Sequence, residues 1–324
     1  MDNNKSIAFV GAGYWGKNIL RVLYELNALH TVCDTNNQIL EEAKNNYPDL
    51  QFTSNFNEVL NNPWIKAVAI ATPAITHFEL AKRAILAGKD VFVEKPLALK
   101  VADGKELVEL TQKHNKILMV GHLLQYHPAV NKLKEIIDSG EIGDIRYIYS
   151  NRLNIGKIRR EENVLWSFAP HDISVILMLL NEEPEHVYAF GGSYVTKGIY
   201  DTTLSVMKFA NGVKGHIFVS WLHPYKEQKL IVVGDKAMTV FDDLTKEKLF
   251  LYPHKVEIKE GVPSAYKSDY KVIPTDTGEP LKLELSHFLN CIETRENPKT
   301  DCTEGLKVLK VLDKLENSLE ANSL

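Results

Sequence analysis

The apolar and polar positions divide the chain into two stretches of different rhythm. From Ser6 to Val120, short apolar runs alternate with helix-length amphipathic segments. The runs Ser6–Val10, Ala28–Cys33, Ala67–Ala71, Asp90–Val93 and Ile117–Val120 are too short for helices and almost wholly apolar, which predicts strands buried on both faces. Between them, Lys17–Leu26, Gln38–Tyr47, Thr76–Leu86 and Val101–Lys113 carry helical spacing, and Phe56–Leu60 starts a shorter helix. Strands separated by helices predict right-handed βαβ units and a doubly wound parallel sheet.

After Gly121 the rhythm changes. Pro128–Asp138 is amphipathic, with Val130, Leu133, Ile136 and Ile137 apolar, and Gly140 stops it. Strand-like runs then dominate: Ile145–Ser150, Val187–Phe190, Leu204–Phe209, Val213–Trp221, Lys229–Val233 and Met238–Phe241. In Val213–Val219, Val213, Gly215, Ile217 and Val219 share one face, while Lys214, His216 and Phe218 take the other. That period of two predicts a mostly antiparallel open sheet with one face less buried. Ala169–Leu180 reads as the main helix among these strands, and Leu281–Thr294 and Thr303–Leu319 as two closing helices. The expected fold is α/β, with one domain over residues 1–121 and a second α/β domain over residues 122–324.

Composition narrows the function without naming it. A chain of 324 residues can bury two cores. A formal charge of −4 gives no reason to expect nucleic acid or an anionic membrane, so an anionic ligand must be met by local cations. The three cysteines, Cys33, Cys291 and Cys302, show no metal-binding or disulfide spacing, which favours a reducing compartment. Met1–Ser6 is polar, and the longest apolar run, Val175–Leu180, is far too short to span a bilayer. The expectation is a soluble, cytoplasmic protein.

The chemistry begins at Gly11-Ala12-Gly13-Tyr14-Trp15-Gly16, directly between the first strand and the first helix. In that context Gly11 permits a tight turn, Gly13 lets the backbone approach a pyrophosphate, and Gly16 lets helix and strand pack closely. The helix amino end adds free N–H groups and a positive dipole. Asp34 ends the second strand 18 positions after Gly16, close to where an acid accepts from the adenine ribose hydroxyls. No Lys or Arg follows before Lys44, so NAD is expected in preference to NADP.

Val91-Phe-Val-Glu-Lys-Pro96 places Glu94 and Lys95 at a strand's carboxyl end, the edge where open parallel sheets bind ligands. Pro96 disfavours the helical region for Lys95 and keeps it extended. By itself this is equally a surface lysine. Thr72, Pro73 and His77 fall at the same edge, although a His in a first helical turn is often a plain surface residue.

Two later stretches carry candidate ligands. Asn151–Arg160 packs four cations into ten residues, either a solvated loop or a loop whose Arg forks meet phosphate. In Asn163–Asp172, Pro170, His171 and Asp172 read as the opening of a helix. At such an amino end the imidazole would stay neutral, able to accept a proton, or be no more than a helix-start residue. Trp166 could stack on a ring-shaped ligand. No Ser/His/Asp signature, HExxH or EF-hand loop occurs, and no metal is expected.

Taken together, Gly11–Gly16, Asp34, Ala71-Thr72-Pro73 with His77, Glu94-Lys95-Pro96 and His171 resemble the Gfo/Idh/MocA oxidoreductase family over essentially the whole length. Gly13–Asn18, Gly121–Val130 and Asn163–Asp172 look like its branch acting on nucleotide-linked amino sugars. The resemblance implies an amino-terminal Rossmann domain and a carboxyl-terminal domain whose open sheet forms contacts between copies, as a dimer or tetramer. It implies NAD held by Gly11, Gly13, Tyr14, Trp15, Gly16, Asp34, Thr35, Thr72, Pro73, His77, Glu94 and Lys95, with Lys95 and His171 catalytic. It places Tyr126, Arg152, Asn154, Arg159, Arg160, Trp166 and Asp172 on a UDP-linked N-acetylated sugar, oxidised at a ring hydroxyl, carbon 3. Many members carry an Asp four residues before the catalytic His. Here that position is Ser167, so Asp172 is expected to substitute, or Lys95 and His171 to suffice. Rival readings are an NAD-dependent glycosidase using transient oxidation and a non-catalytic NAD-binding sensor.

Overall fold

Ile7–Val10 (β1) is buried at every position, as a strand covered on both faces must be. The chain continues through Gly16–Glu25 (α1), Leu29–Cys33 (β2), Asn37–Asn46 (α2), Gln51–Thr53 (β3), Phe56–Asn61 (α3), Ala67–Ile70 (β4), His77–Leu86 (α4), Asp90–Glu94 (β5), Val101–His114 (α5) and Leu118–Gly121 (β6). These strands pair in the order β3-β2-β1-β4-β5-β6, every pairing parallel. The order reverses between β1 and β4, so the turns that follow them flank the crevice where such sheets take ligands. Val68, Ile70, Val91 and Val93 pack against Ala81, Ala84, Ile85 and Leu107 of α4 and α5, filling one face of the sheet.

The second rhythm gives Pro128–Asp138 (α6), Ile145–Ile155 (β7), Val164–Leu180 (α7), His186–Gly192 (β8), Thr202–Lys208 (β9), Lys214–Ser220 (β10), Leu222–Gly234 (β11), Met238–Asp242 (β12), Leu249–Tyr252 (β13), Lys255–Lys259 (β14), Val262–Tyr266 (β15) and Lys271–Val272 (β16). The eight-stranded sheet runs β16-β13-β12-β11-β7-β10-β9-β8, antiparallel except where β10 pairs with β7. Burial alternates along β10 as the period of two requires: Gly215, Ile217 and Val219 are covered, Lys214 is exposed, and His216 and Phe218 are half-buried. The His216 ring stacks on Tyr149 of β7, centroids 4.9 Å apart.

This computed structural model describes residues 5–156, 158–160 and 162–322. Its contacts divide the chain into two compact units: one from the start through Leu123 together with Glu279–Leu309, the other Leu124–Gly278 together with the residues from Lys310. The first crossing between the units falls after Leu123, and the chain does not stay in the second unit. Pro280–Thr294 (α8) and the first turns of Cys302–Ala321 (α9) return to the first. Phe288 of α8 lies 5.8 Å from Phe92, on the face of β5 opposite Val91 and Val93. The free edge of β6 is covered by residues 300–301: Val120 N–H donates to the Thr300 carbonyl, and Met119 bridges Asp301.

Helix α7 starts six residues earlier than Pro170 suggests. The Asn163 side chain accepts from Trp166 N–H, and Ser167 N–H bonds the Asn163 carbonyl, so the first turn is capped upstream. Pro170 therefore sits inside the helix, where it removes one hydrogen bond at a typical cost of about 3 kcal/mol. Among the described residues, no helix is long and apolar enough to cross a membrane, and no cluster of three His, Cys, Asp or Glu could hold a metal ion. Cys33, Cys291 and Cys302 are buried thiols, and burial pushes that of Cys33 up to about 11.

Candidate active site

In the first unit, the glycine loop departs from β1 at Gly11. Its φ of +97° suits glycine, and a Cβ there would meet Ala71 and the Thr72 amide at 2.8 Å. A Cβ on Gly16 would collide with the Gly11 carbonyl, so the helix can start this close only with glycine. Gly13 has open space where a Cβ would stand. Helix α1 has no side-chain cap and no acidic residue in its first turn, leaving that end suited to an anion.

Asp34 closes the loop from the other side. One carboxylate oxygen accepts from Ala12 N–H at 2.8 Å and the other from Asn36 N–H at 2.9 Å. The carboxylate thus fixes the loop and still offers lone pairs at the sheet edge; Thr35 beside it is exposed. Tyr14 stands almost wholly in solvent, at 96% exposure.

Trp15 bridges to the second motif. Its indole N–H donates to Glu94 Oε1 at 2.7 Å, and Glu94 Oε2 accepts the Lys95 N–H at 3.2 Å. Burial pushes the Glu94 carboxyl up, while Trp15, Lys95 and His122 pull it back toward the anion. Gly121 of β6 leaves room for this carboxylate, which a Cβ there would meet at 3.1 Å. Lys95 is half-buried just beyond β5, at the same sheet edge as the glycine loop.

His77 does not present its ring to a ligand. It is buried, with Nδ1 2.8 Å from the Pro96 carbonyl and Nε2 2.9 Å from the Thr72 carbonyl. It is a bracket between the turns after β4 and β5, and any role toward a cofactor runs through Thr72, Pro73 and Pro96. Thr72 Oγ1 is itself bonded to Thr76 Oγ1 at 2.7 Å. The sequence reading overlooked His122, buried directly after β6, whose Nδ1 lies 2.6 Å from Glu304. It also overlooked Glu284. His122 falls inside Gly121–Val130 but was given no role there, because its Glu304 partner is 182 positions away, and Glu284 sits in no recognisable motif.

In the second unit, Arg152 and Asp172 bind each other instead of standing ready for a ligand. The guanidinium makes two bonds to the carboxylate, at 2.8 and 3.1 Å, and Ser150 Oγ donates to it at 2.6 Å. Burial works against the Arg152 charge, but Asp172 more than offsets it and keeps the guanidinium protonated. Asp172 is thus committed to β7 and does not replace the carboxylate missing at Ser167. Ser167, buried, lies one turn before His171 on the same helix face. His171 is inside α7, not at its amino end, so the helix dipole does not act on its ring as it would at a helix start.

The first half of the expected basic loop is strand, because β7 continues to Ile155. Arg152 and Asn154 share the face of β7 that meets α7, and Asn154 Oδ1 is buried with no partner among the described residues. Lys157 lies outside the described residues. Arg159 pairs with Glu162 at 2.6 Å, and Arg160 is exposed. Trp166 donates its indole N–H to Glu316 at 3.0 Å, which fixes the ring, and Tyr126 is buried.

Known proteins resemble this chain in sequence and in fold. The family described as "Oxidoreductase family, NAD-binding Rossmann fold" (GFO_IDH_MocA) matches residues 5–122, and the "GFO/IDH/MocA C-terminal domain" matches residues 130–240. UDP-N-acetylglucosamine 3-dehydrogenase of Acidithiobacillus ferrooxidans is 27% identical over 260 residues, 79% of this chain and 80% of that protein. A scyllo-inositol 2-dehydrogenase (NAD(+)) of Bacillus subtilis is 28% identical over 268 residues, 78% of this chain and 75% of that one. The solved structure of the Acidithiobacillus ferrooxidans enzyme superposes with a TM-score of 0.86 at 24% identity, covering 98% of this chain and 97% of that chain.

Proposed function

The chain belongs to the Gfo/Idh/MocA family of NAD-binding oxidoreductases, and on that footing we propose that it oxidises a ring hydroxyl, at carbon 3, of a UDP-linked N-acetylated sugar such as UDP-N-acetylglucosamine. The observation that carries the reading is Lys95 at the carboxyl end of β5, on the same edge of one parallel sheet as the glycine loop after β1. Bound NAD supplies the electron-pair acceptor for an alcohol oxidation. Lys95 holds the reacting oxygen, and its ammonium counts for more as negative charge develops there. His171 takes the hydroxyl proton. Gly11, Gly13, Gly16 and the free amino end of α1 receive the pyrophosphate of the cofactor, and Asp34 its ribose hydroxyls.

On the substrate side, Asn154 offers a carbonyl oxygen that lacks a partner among the described residues, suited to a sugar hydroxyl. Arg159 and Arg160 supply cations for the UDP phosphates, and Trp166 a fixed aromatic face. The likeness to UDP-N-acetylglucosamine 3-dehydrogenase supports this substrate class. A second reading, oxidation of an inositol ring hydroxyl, has the Bacillus subtilis relative in its favour and needs the same proton chemistry. Incubation with NAD and separate panels of UDP-sugars and inositols, followed at the NADH absorbance, decides between them. Turnover of UDP-N-acetylglucosamine with formation of the 3-keto sugar is expected; turnover confined to inositols overturns the nucleotide-sugar assignment.

A further inference from the structure

Glu284 is a glutamate in a place where a glutamate is costly. It sits on α8 with no exposed surface, and neither carboxyl oxygen has a hydrogen-bond partner among the described residues. Buried carboxyls in folded proteins are almost always paired or bonded, so one that is neither calls for an explanation. The packing gives its place. Phe288, one helical turn later, packs its ring at a tilt against that of Phe92 of β5, and Glu94 follows Phe92 by two residues on that same strand face. Glu284 is therefore on the side of the sheet where Glu94 holds Trp15 and the Lys95 N–H.

The two carboxyls feel each other, and their surroundings differ sharply. Glu94 is buried too, and burial pushes its carboxyl up. But the Trp15 indole, the Lys95 N–H and ammonium, and His122, itself paired with Glu304, stand around it and pull it back toward the anion. Around Glu284 there is burial, which opposes charge, and the field of Glu94, which opposes it further. The other charged groups on α1 and α8, which pack together, are Lys17, Arg21, Glu25, Lys282 and Glu293, with Glu279 at the cap of α8 and His287 as a further titratable group. Lys17 is exposed and pairs with Glu42, Glu293 is exposed, and His287 accepts the Lys299 N–H. Arg21, Glu25, Glu279 and Lys282 remain. They pair among themselves at the exposed side. Two like charges in one low-dielectric site do not both persist, and the proton goes to the carboxyl with fewer donors.

We propose that Glu284 is a positioning residue for the cofactor edge: it stays protonated beside Glu94, so the pair carries one negative charge, held on Glu94, that fastens the Trp15 indole to the turn presenting Lys95. Ionising Glu284 sets two anions against each other and drives Glu94 from its donors. The glycine loop then loosens. The inference rests on the dinucleotide reading of that loop and not on the identity of the sugar.

The test uses the full chain and NAD alone, with no sugar present. Infrared spectra of the wild type at neutral pH should contain the carbonyl stretch of a protonated carboxylic acid, absent in Glu284→Gln and retained in Glu94→Gln. The wild-type dissociation constant for NAD, titrated from about pH 5 to about pH 9, should rise several-fold toward alkaline pH, and that of Glu284→Gln should stay flat. Glu284→Gln and Glu284→Leu should both melt above the wild type. The native carboxyl titrates well above 4.5, so the wild type is relatively most stable in acid, and the margin widens as pH climbs past that value. An infrared spectrum unchanged by Glu284→Gln, or parallel NAD profiles for that variant and the wild type, overturns the proposal. A wild type that binds no NAD at any pH overturns the dinucleotide reading instead.

Discussion

The indole of Trp15 and the carboxylate of Glu94, 79 positions apart in sequence, meet at 2.7 Å and join the glycine loop to the strand that ends in Lys95. A hydrogen bond to a charged acceptor typically contributes about 1.5–3 kcal/mol, so Trp15→Phe should weaken NAD binding by roughly tenfold or more. The maximal rate at saturating NAD should change little, and cofactor titration with steady-state kinetics measures both.

Cofactor choice should follow Asp34. Its carboxylate repels a ribose phosphate, so NAD should bind more tightly than NADP, and Asp34→Ala should lose most of that preference. The same substitution releases the Ala12 N–H and slackens the loop, so NAD affinity itself should fall as well. Parallel titrations with both cofactors check the two effects; equal affinities in the wild type would remove Asp34 from the ribose.

Lys95→Met keeps the length of the side chain and deletes its charge. NAD binding should survive, while turnover falls by on the order of a hundredfold or more, as expected for a group acting mainly in the transition state. His171→Asn should lower turnover too, and should flatten the acidic limb of the pH–rate profile. Near-normal turnover by Lys95→Met would sink the proposed chemistry.

The Arg152–Asp172 pair should reveal itself in stability. Asp172→Ala strands a guanidinium whose side chain is 13% exposed, and breaking such a pair typically costs about 3–5 kcal/mol. The double variant Arg152→Met, Asp172→Leu should recover much of the loss. Urea unfolding of the three proteins gives the comparison, and a single variant as stable as the wild type would contradict the buried pairing.

Substrate contacts should separate Asn154 from Arg159. Asn154→Ala should raise the sugar-nucleotide KM with little change in kcat, the pattern of lost uniform binding. Arg159 already pairs with Glu162, so Arg159→Ala should have the smaller effect unless the phosphates displace that carboxylate. An Asn154→Ala enzyme with unchanged KM would return Asn154 to the scaffold.

What the sequence made legible was local. The glycine loop, Asp34 and Glu94-Lys95-Pro96 each declare themselves within a few residues, because a strand end, a tight turn and a helix start impose their own composition. The alternation in β10 was equally plain. Pro170 misled because proline favours helix starts, whereas the Asn163 cap seven residues upstream decided where α7 begins. Arg152 and Asp172 read as ligand groups because no local rule pairs a strand residue with a helix residue twenty positions on. His77 read as a surface residue or a cofactor contact, since its two carbonyl partners lie on separate turns. Glu284 and the His122–Glu304 pair were invisible for the same reason, being defined by partners far along the chain.

The return of α8 and the start of α9 to the first unit sets a schedule for biosynthesis. Phe92 gains its Phe288 cover, Asp90 its bonds to Arg295, and the edge of β6 its partner at Thr300 only when residues beyond 279 have been made. As the chain emerges from the ribosome, the six parallel strands are complete by Gly121, with the β5 part of one apolar face and one edge still open. The half that begins first therefore finishes among the last, and more than 150 residues must be translated while that apolar face waits for its cover.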